Sequence, residues 1–300
     1  MIKQTFCTFL LLLTATSAVS AQQQGEVAVS AEDAYQVSET ETLAQAKIKA
    51  VERAKIKALE QKFGTIVSGS NILRQSSTTT NGSETTRTEF RSLSQSDVKG
   101  LWIANTREPK VSLSLKHGDL FVEVSVEGLA RELKSAGIDL KASVLRQADD
   151  ERSASTRFRN GDNVYLSFKS PMDGYLAVFL YGEDDEVYTA LPYAKNPGQP
   201  YRVKGGENYI FFSRAHSPEN LRPYFPQRGY ILQATEKDEI NRLRIVFSPN
   251  FFSLSNASKE TGGIFVTDYR DFDQWLISCR RSDEKMQVID YDITITADKK

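Results

Sequence analysis

The chain has 300 residues with 38 basic and 39 acidic side chains, so its formal net charge is −1. A charge this close to zero argues against a protein that tracks nucleic-acid phosphates, because such proteins carry a basic excess. The hydrophobic share of 40% is too high for a disordered chain and too low for a protein with several membrane spans. Two cysteines exclude a disulfide scaffold and a four-thiolate zinc site.

The first 21 residues have the pattern of a secretory signal peptide. Lys3 supplies a positive charge, residues 6–13 are mostly apolar, and small residues follow up to Ala21. The apolar run is too short for a spanning helix, which needs about 20 residues. We predict cleavage after Ala21, no transmembrane segment after cleavage, and a periplasmic or secreted protein. Cys7 lies inside the apolar run, so no lipid anchor is expected.

Aromatic residues divide the mature chain into two parts. Residues 22–159 contain six aromatic side chains, whereas residues 160–300 contain 22. The polar and charged stretch between them is typical of a linker. We therefore predict one domain over residues 22–145, a linker over 146–157 and a second domain over 158–300.

The first domain should contain one long helix. A short strand is predicted at Glu26–Val29, and Ser38 with Glu41 fits a capping box that starts a helix ending near Phe63. Small apolar residues occupy one face of this helix. A second apolar stripe consists of Ile48, Ile56, Leu59 and Phe63. That stripe is either buried within its own domain or meets another subunit or the other domain, so oligomerisation through the helix is one hypothesis.

Strand patterns follow the helix. We predict a strand at Thr65–Leu73, a hairpin at Asn81-Gly82 and a turn at His117-Gly118-Asp119. Apolar residues alternate on both sides of that turn, at Val111, Leu113 and Leu115 and then at Leu120, Val122, Val124 and Val126. A short helix is predicted at Leu129–Ala136. This order predicts an α+β domain in which one long helix lies on an antiparallel sheet.

The first domain also resembles a known family. Alanines are spaced along the predicted helix, and Gly64-Thr65-Ile66-Val67-Ser68 follows it; the alanines are Ala44, Ala46, Ala50, Ala54 and Ala58. This pattern resembles the N-terminal domain of flagellar assembly protein T and related small envelope lipoproteins, over roughly residues 26–135. The resemblance implies an accessory role in the cell envelope. The anchoring cysteine of the lipidated members has no counterpart here, so membrane attachment is not implied.

The second domain is predicted to be mostly β. Short strands are indicated at residues 164–168, 174–181, 187–191, 209–212, 230–234, 243–247 and 289–295, and one helix at 272–280. Short strands separated by Gly, Pro and Asn are typical of a β-sandwich. We therefore predict a sandwich-like domain with one C-terminal helix.

This domain, too, resembles a family. Gly161-Asp162-Asn163-Val164 is followed by Gly174-Tyr175-Leu176-Ala177-Val178-Phe179, a Leu-Pro pair and late glycines. The pattern resembles a bacterial domain of unknown function that recurs in exported proteins and beside kinase-like or caspase-like modules, over about residues 158–234. It implies a β-rich accessory module without known catalytic residues. Tyr193 stands where members often carry Asn.

Little in the sequence indicates catalysis. Cys279 could act as a nucleophile if His216 or His117 lay beside it, which defines a thiol-dependent hydrolase as an alternative hypothesis. The simpler interpretation is a buried, inert thiol. The histidines are isolated and no phosphate-binding loop occurs, so we predict no metal site and no cofactor.

The most informative candidate site lies in the C-terminal loops, where tyrosines and arginines stand among prolines. Stiff loops that present Tyr and Arg are typical of binding surfaces. The predicted binding residues are Tyr193, Tyr201, Arg202, Tyr224 and Arg228. These side chains either recognise a protein or glycan or pack over the ends of the sandwich. We predict a non-enzymatic envelope accessory protein with such a partner; a lectin-like carbohydrate-binding module is a further alternative.

Overall fold

The computed structural model describes residues 25–65, 97–134, 137–148, 150–181, 186–193, 199–226, 229–234, 237–255, 259–261 and 264–298. Within these ranges the chain is mostly β, with 14 strands and two α-helices. The predicted signal peptide, the Asn81-Gly82 hairpin and all but the first residue of the strand predicted at Thr65–Leu73 lie outside them. Neither helix in the described ranges is long and apolar enough to span a membrane.

The N-terminal unit consists of one helix on a three-stranded antiparallel sheet. Its elements are β1 (Glu26–Gln36), α1 (Leu43–Phe63), β2 (Gly100–Lys116) and β3 (Asp119–Glu132). The strand order is β1-β3-β2. A row of fully buried alanines on α1 faces the sheet: Ala46, Ala50, Ala54 and Ala58. Their small side chains allow the helix backbone to approach Val122, Val124 and Val126 of β3 closely.

Helix α1 begins four residues later than predicted. Its capping box is formed by Thr42 and Gln45: the Gln45 N–H donates to Thr42 Oγ1 at 3.2 Å, and the Thr42 N–H donates to Gln45 Oε1 at 2.8 Å. The Ser38 N–H donates to Glu41 Oε1 at 2.8 Å, but in the turn that precedes the helix. Both pairs fit the same capping pattern, so the pattern alone does not choose between them.

Two further predictions in this unit are corrected. Strand β1 extends to Gln36 instead of ending at Val29, and the helix predicted at Leu129–Ala136 is wrong. Strand β3 continues to Glu132 and pairs with both neighbours up to Arg131; Ala130, for example, lies opposite Val27 of β1 and Trp102 of β2. Strand pairing on both sides therefore overrides the local helical pattern. The predicted turn at His117-Gly118 is confirmed, and both residues have positive φ.

The C-terminal unit contains the remaining strands and the second helix. They are β4 (Lys141–Leu145), β5 (Arg157–Arg159), β6 (Tyr165–Lys169), β7 (Gly174–Tyr181), β8 (Glu186–Leu191), β9 (Tyr201–Val203), β10 (Asn208–Phe211), β11 (Glu239–Ser248), β12 (Lys259–Thr261), β13 (Ile264–Asp268), α2 (Tyr269–Ser282) and β14 (Gln287–Thr296). The large sheet has the order β12-β13-β8-β7-β11-β14-β5, with β9 also paired to β7. The small sheet has the order β10-β6-β4.

Two details differ from the sequence patterns. Residues 230–234 do not form the predicted strand; within them Ile231 makes an isolated bridge to Asn163. Strand β4 precedes the predicted linker, yet it pairs with β6. The linker region itself contains a short 3₁₀ turn at Glu151–Ser153, and the Arg146 N–H donates to the Ser153 carbonyl at 3.1 Å.

The large sheet is covered on both faces. Alternate residues of β7 point to opposite sides of the sheet, and each set belongs to a buried cluster. Leu176 and Val178 share a buried cluster with Leu166 and Phe168 of the small sheet. Ala177, Phe179 and Tyr181 share a second cluster with two residues of α2, Phe272 and Leu276. The nearly continuous apolar sequence of β7 follows from this two-sided burial.

A buried network of charges joins the two units. Arg244 of β11 is fully buried, and its guanidinium donates to both carboxylate oxygens of Asp290, at 2.8 and 2.6 Å. It also donates to Asp97, which lies just before β2. Arg242 Nη1 lies 3.5 Å from Asp97 Oδ1, and Arg280 of α2 donates to the Val98 carbonyl at 3.2 Å. The N-terminal unit is thus attached to the face of the large sheet that also carries α2.

Candidate functional site

The structure places Tyr193 inside the C-terminal core. Its side chain is 3% exposed, and its hydroxyl accepts a hydrogen bond from the Phe212 N–H at 2.9 Å. Its ring lies 5.0 Å from that of Phe225, and Tyr230 completes the group. Burial raises the pKa of Tyr193. The hydroxyl and the ring are therefore both engaged within the protein.

The other predicted binding residues are more exposed and less closely grouped. Tyr201 is half-buried against Phe211, and its hydroxyl donates to Asn220 Oδ1 at 3.3 Å, next to the loop that carries Tyr224. Arg202 is exposed and lies 3.7 Å from a carboxylate oxygen of Asp173. The Tyr224 ring is 46% exposed.

Arg228 lies outside the described residues. The structure thus places Tyr201 at the start of β9, near the 3₁₀ turn that ends at Tyr224, but turns Tyr193 inward.

The candidate nucleophile is held in an apolar environment. Cys279 lies on α2 against the cluster that α2 shares with the large sheet. Burial raises the pKa of its thiol to about 11, so the thiol is protonated at neutral pH. Phe212, which precedes the loop containing His216, belongs to the cluster on the opposite face of that sheet. His216 Nδ1 lies 3.0 Å from Ser213 Oγ, and His117 lies in the β2–β3 turn.

Metal-ligand groupings do not occur in the described ranges, where no three His, Cys, Asp or Glu side chains are clustered for an ion. Two open depressions of about 490 and 470 Å³ lie mostly on the sheet face opposite α1, and Lys57 of α1 reaches the larger one beside Asp33. Both are lined mainly by hydroxyl, carboxylate and small side chains, among them Ser125 and Glu32. A polar, open surface of this kind is typical of a solvated sheet face.

An apolar surface lies on the other side of that sheet, beside α1. Residues four apart form rows along a helix. Arg53 and Lys57 reach Asp33 of β1, so their row lies on the β1 side. The opposite row lies on the β2 side, because Lys55 stands over the Trp102 ring and Phe63 packs at Gly100. That row consists of Leu43, Lys47, Val51, Lys55, Leu59 and Phe63.

Strand β2 continues this surface beyond the part that α1 covers. Val111, Leu113 and Leu115 pair with Val124, Val122 and Leu120 of β3, and therefore point to the same side of the sheet as the helix. Val122 and Val124 are buried under α1, whereas Leu115 is 76% exposed and Leu113 is 47% exposed. Ile48, on the crest of the helix, is 55% exposed.

We call this surface the α1–β2 shelf. Its floor is Val111, Leu113 and Leu115, and its wall is Leu43, Lys47, Val51 and Lys55, with Ile48 on the crest. Large apolar residues that are exposed singly are ordinary, but a contiguous group is typical of an interaction site. Geometry explains why the floor is uncovered: three strands span about 14 Å, whereas one helix is about 10 Å across.

The sequence patterns predict the elements of these residues, and of the shelf residues only Ile48 belongs to a stripe with a hypothesised contact to another subunit or domain. The alternation of Val111, Leu113 and Leu115 predicts a strand, and β2 confirms it. Alternation also suggests burial of that face, which the structure corrects. The signal that was available is that one long helix is predicted against several strands, which is too little to cover a whole sheet face.

Comparisons of the chain with models of known protein families, with curated proteins and with solved structures find no match.

Proposed function

We propose that this protein is an exported, non-enzymatic accessory of the cell envelope that binds a protein partner through the α1–β2 shelf. The proposal includes signal cleavage after Ala21 and a location in the periplasm or outside the cell. The observation that carries it is the exposed apolar floor of Val111, Leu113 and Leu115 beside α1. Apolar area of this kind favours a protein partner over a glycan.

The C-terminal unit serves as the scaffold in this proposal. Its two sheets share one buried cluster, which supports a sandwich-like arrangement with α2 on the outer face of the large sheet. The exposed ring of Tyr224 favours a second, lectin-like candidate, since sugars stack on aromatic rings. The raised pKa of Cys279 disfavours the thiol-dependent hydrolase, because the thiolate is the nucleophile.

Site-specific photo-crosslinking in the cells that produce the protein tests the proposal. Benzoylphenylalanine would replace Leu115 in the full chain, and the matched control would carry it at Met172, an exposed apolar residue of the C-terminal unit. We expect one discrete protein adduct from position 115. The yield of any adduct from position 172 should be at least tenfold lower. The Leu113→Ser substitution should reduce the adduct at least tenfold. An adduct that forms equally from both positions, or none from position 115, would overturn the proposal.

A further inference from the structure

We propose that the α1–β2 shelf receives an acidic amphipathic helix of the partner protein. This inference rests on the proposed function and adds the shape and the charge of the partner segment.

The shape of the shelf suits a helix. Its floor is a single strand that runs beside α1, and packed helices lie 8–10 Å apart. The floor from Val111 to Leu115 extends about 13 Å along β2. The wall from Leu43 to Lys55 extends about 18 Å along α1. A partner helix of about three turns, lying beside α1, would cover the floor and contact the wall.

The charges on α1 predict the sign of the charge on the partner helix. The helix has six basic and two acidic residues, although the whole chain has a net charge of −1. On the β1 side the basic residues are paired: Lys49 with Glu41 at 3.0 Å, and both Arg53 and Lys57 with Asp33.

On the shelf side, no carboxylate of the described residues pairs with Lys47 or Lys55; Lys55 instead lies 5.3 Å from the centre of the Trp102 ring. Acidic side chains flanking the apolar stripe of a partner helix would complement these two ammonium groups. A second copy of the same shelf would bring like charges together, which argues against self-association here.

Synthetic peptides test this inference on the full chain. The probe is a fluorescein-labelled 18-residue peptide with Leu at i, i+3, i+4 and i+7 spacing and Glu elsewhere. One control replaces every Glu by Lys, and another scrambles the acidic sequence. Fluorescence anisotropy should show the acidic helix binding at least tenfold more tightly than either control. Anionic phospholipid vesicles are titrated in parallel.

Variants locate the binding. Leu113→Ser and the double variant Lys47→Gln/Lys55→Gln should each weaken binding of the acidic peptide at least tenfold. Met172→Ser should change it less than twofold. All of these positions are on the surface, and an unchanged thermal unfolding curve would verify that each variant folds.

Several results would overturn the inference. They are equal binding of the acidic and basic peptides, absence of peptide binding, and tighter binding to the vesicles. Two further results would also overturn it. One is a dimer of this protein that is lost in Leu113→Ser, and the other is a crosslink from position 115 to another copy of this protein. If position 115 still crosslinks to a partner protein while the acidic peptide fails, the inference fails and the proposed function stands. If that adduct is missing as well, both fail.

Discussion

Replacing Asp97 by Asn should loosen the attachment between the two units. Asp97 is buried and lies against Arg242 and Arg244, which are themselves largely or fully buried. Removing one partner of a buried ion pair costs about 3–5 kcal/mol, because the other charge remains without compensation. Asp290 still holds Arg244 through two hydrogen bonds, so we expect the lower end, about 3 kcal/mol, for Asp97→Asn. Asp290→Asn should cost more, about 5 kcal/mol.

The two tryptophans allow each unit to be followed separately during unfolding in urea. Trp102 lies in β2 and Trp275 in α2. In the Trp275→Phe variant the remaining Trp102 reports the N-terminal unit. In the Trp102→Phe variant the remaining Trp275 reports the C-terminal unit. With a denaturant slope of about 2 kcal/mol/M, a loss of about 3 kcal/mol lowers the midpoint by about 1.5 M. We expect this shift for the Trp102 signal and a smaller shift for the Trp275 signal.

The control for this experiment is Asp173→Asn. Asp173 and Arg202 form an exposed pair at 3.7 Å, so its loss should cost at most about 1 kcal/mol, and the Asn carbonyl can still accept the hydrogen bond that the Gly205 N–H donates to Asp173 at 2.9 Å. If Asp97→Asn shifts the Trp102 transition no further than this control does, the network does not hold the units together. A larger shift of the Trp275 signal than of the Trp102 signal would also refute the reasoning.

Three other changes test separate parts of the structure. At pH 8, Cys279 should react with iodoacetamide about 100-fold more slowly in the folded protein than in urea, as measured by mass spectrometry, because a pKa of about 11 against 9 leaves that much less thiolate; comparable rates would contradict its burial. Ala54→Leu should cost about 1–3 kcal/mol of unfolding free energy by overpacking the helix–sheet contact, while Ala44→Leu on the exposed face should be neutral; equal effects in urea titrations would refute the packing. Tyr193→Phe should cost about 1–3 kcal/mol because a buried N–H loses its acceptor, whereas Tyr224→Phe should leave thermal stability unchanged; the opposite order would contradict their placement.

Patterns contained within one element were predictable from the sequence. Strand β7 was predicted at its observed bounds, Gly174–Tyr181, because a short, nearly continuous apolar run bounded by turn signals is typical of a doubly covered strand. The alternation of Leu120, Val122, Val124 and Val126 likewise predicted β3. Neither pattern depends on knowing which strands become neighbours.

Features that depend on strand register were not predictable in this way. Arg242 and Arg244 alternate along β11, and Asp292 and Asp290 alternate along β14, but only the register places each arginine opposite its carboxylate. Asp97 reaches Arg244 from 147 positions away in the chain. Local patterns carry no information about such a contact.

The α1–β2 shelf was missed for a related reason. Alternation in β2 shows which residues share a face, but the width of the sheet relative to one helix decides whether that face is covered. Val122 of β3 is therefore buried while Leu113, opposite it on β2, is exposed. Tyr193 shows the converse, because a loop residue that suggests a binding surface points into the core.

The most direct test of the proposed binding surface uses the partner that crosslinks at position 115. Its affinity is measured for two variants of this protein. Leu113→Ser changes the floor of the shelf, and Tyr224→Ala removes the most exposed of the predicted loop tyrosines. We expect Leu113→Ser to weaken binding at least tenfold and Tyr224→Ala to change it less than twofold. Loss of binding in Tyr224→Ala with full affinity retained in Leu113→Ser would contradict the shelf as the binding surface and would place it in the C-terminal loops.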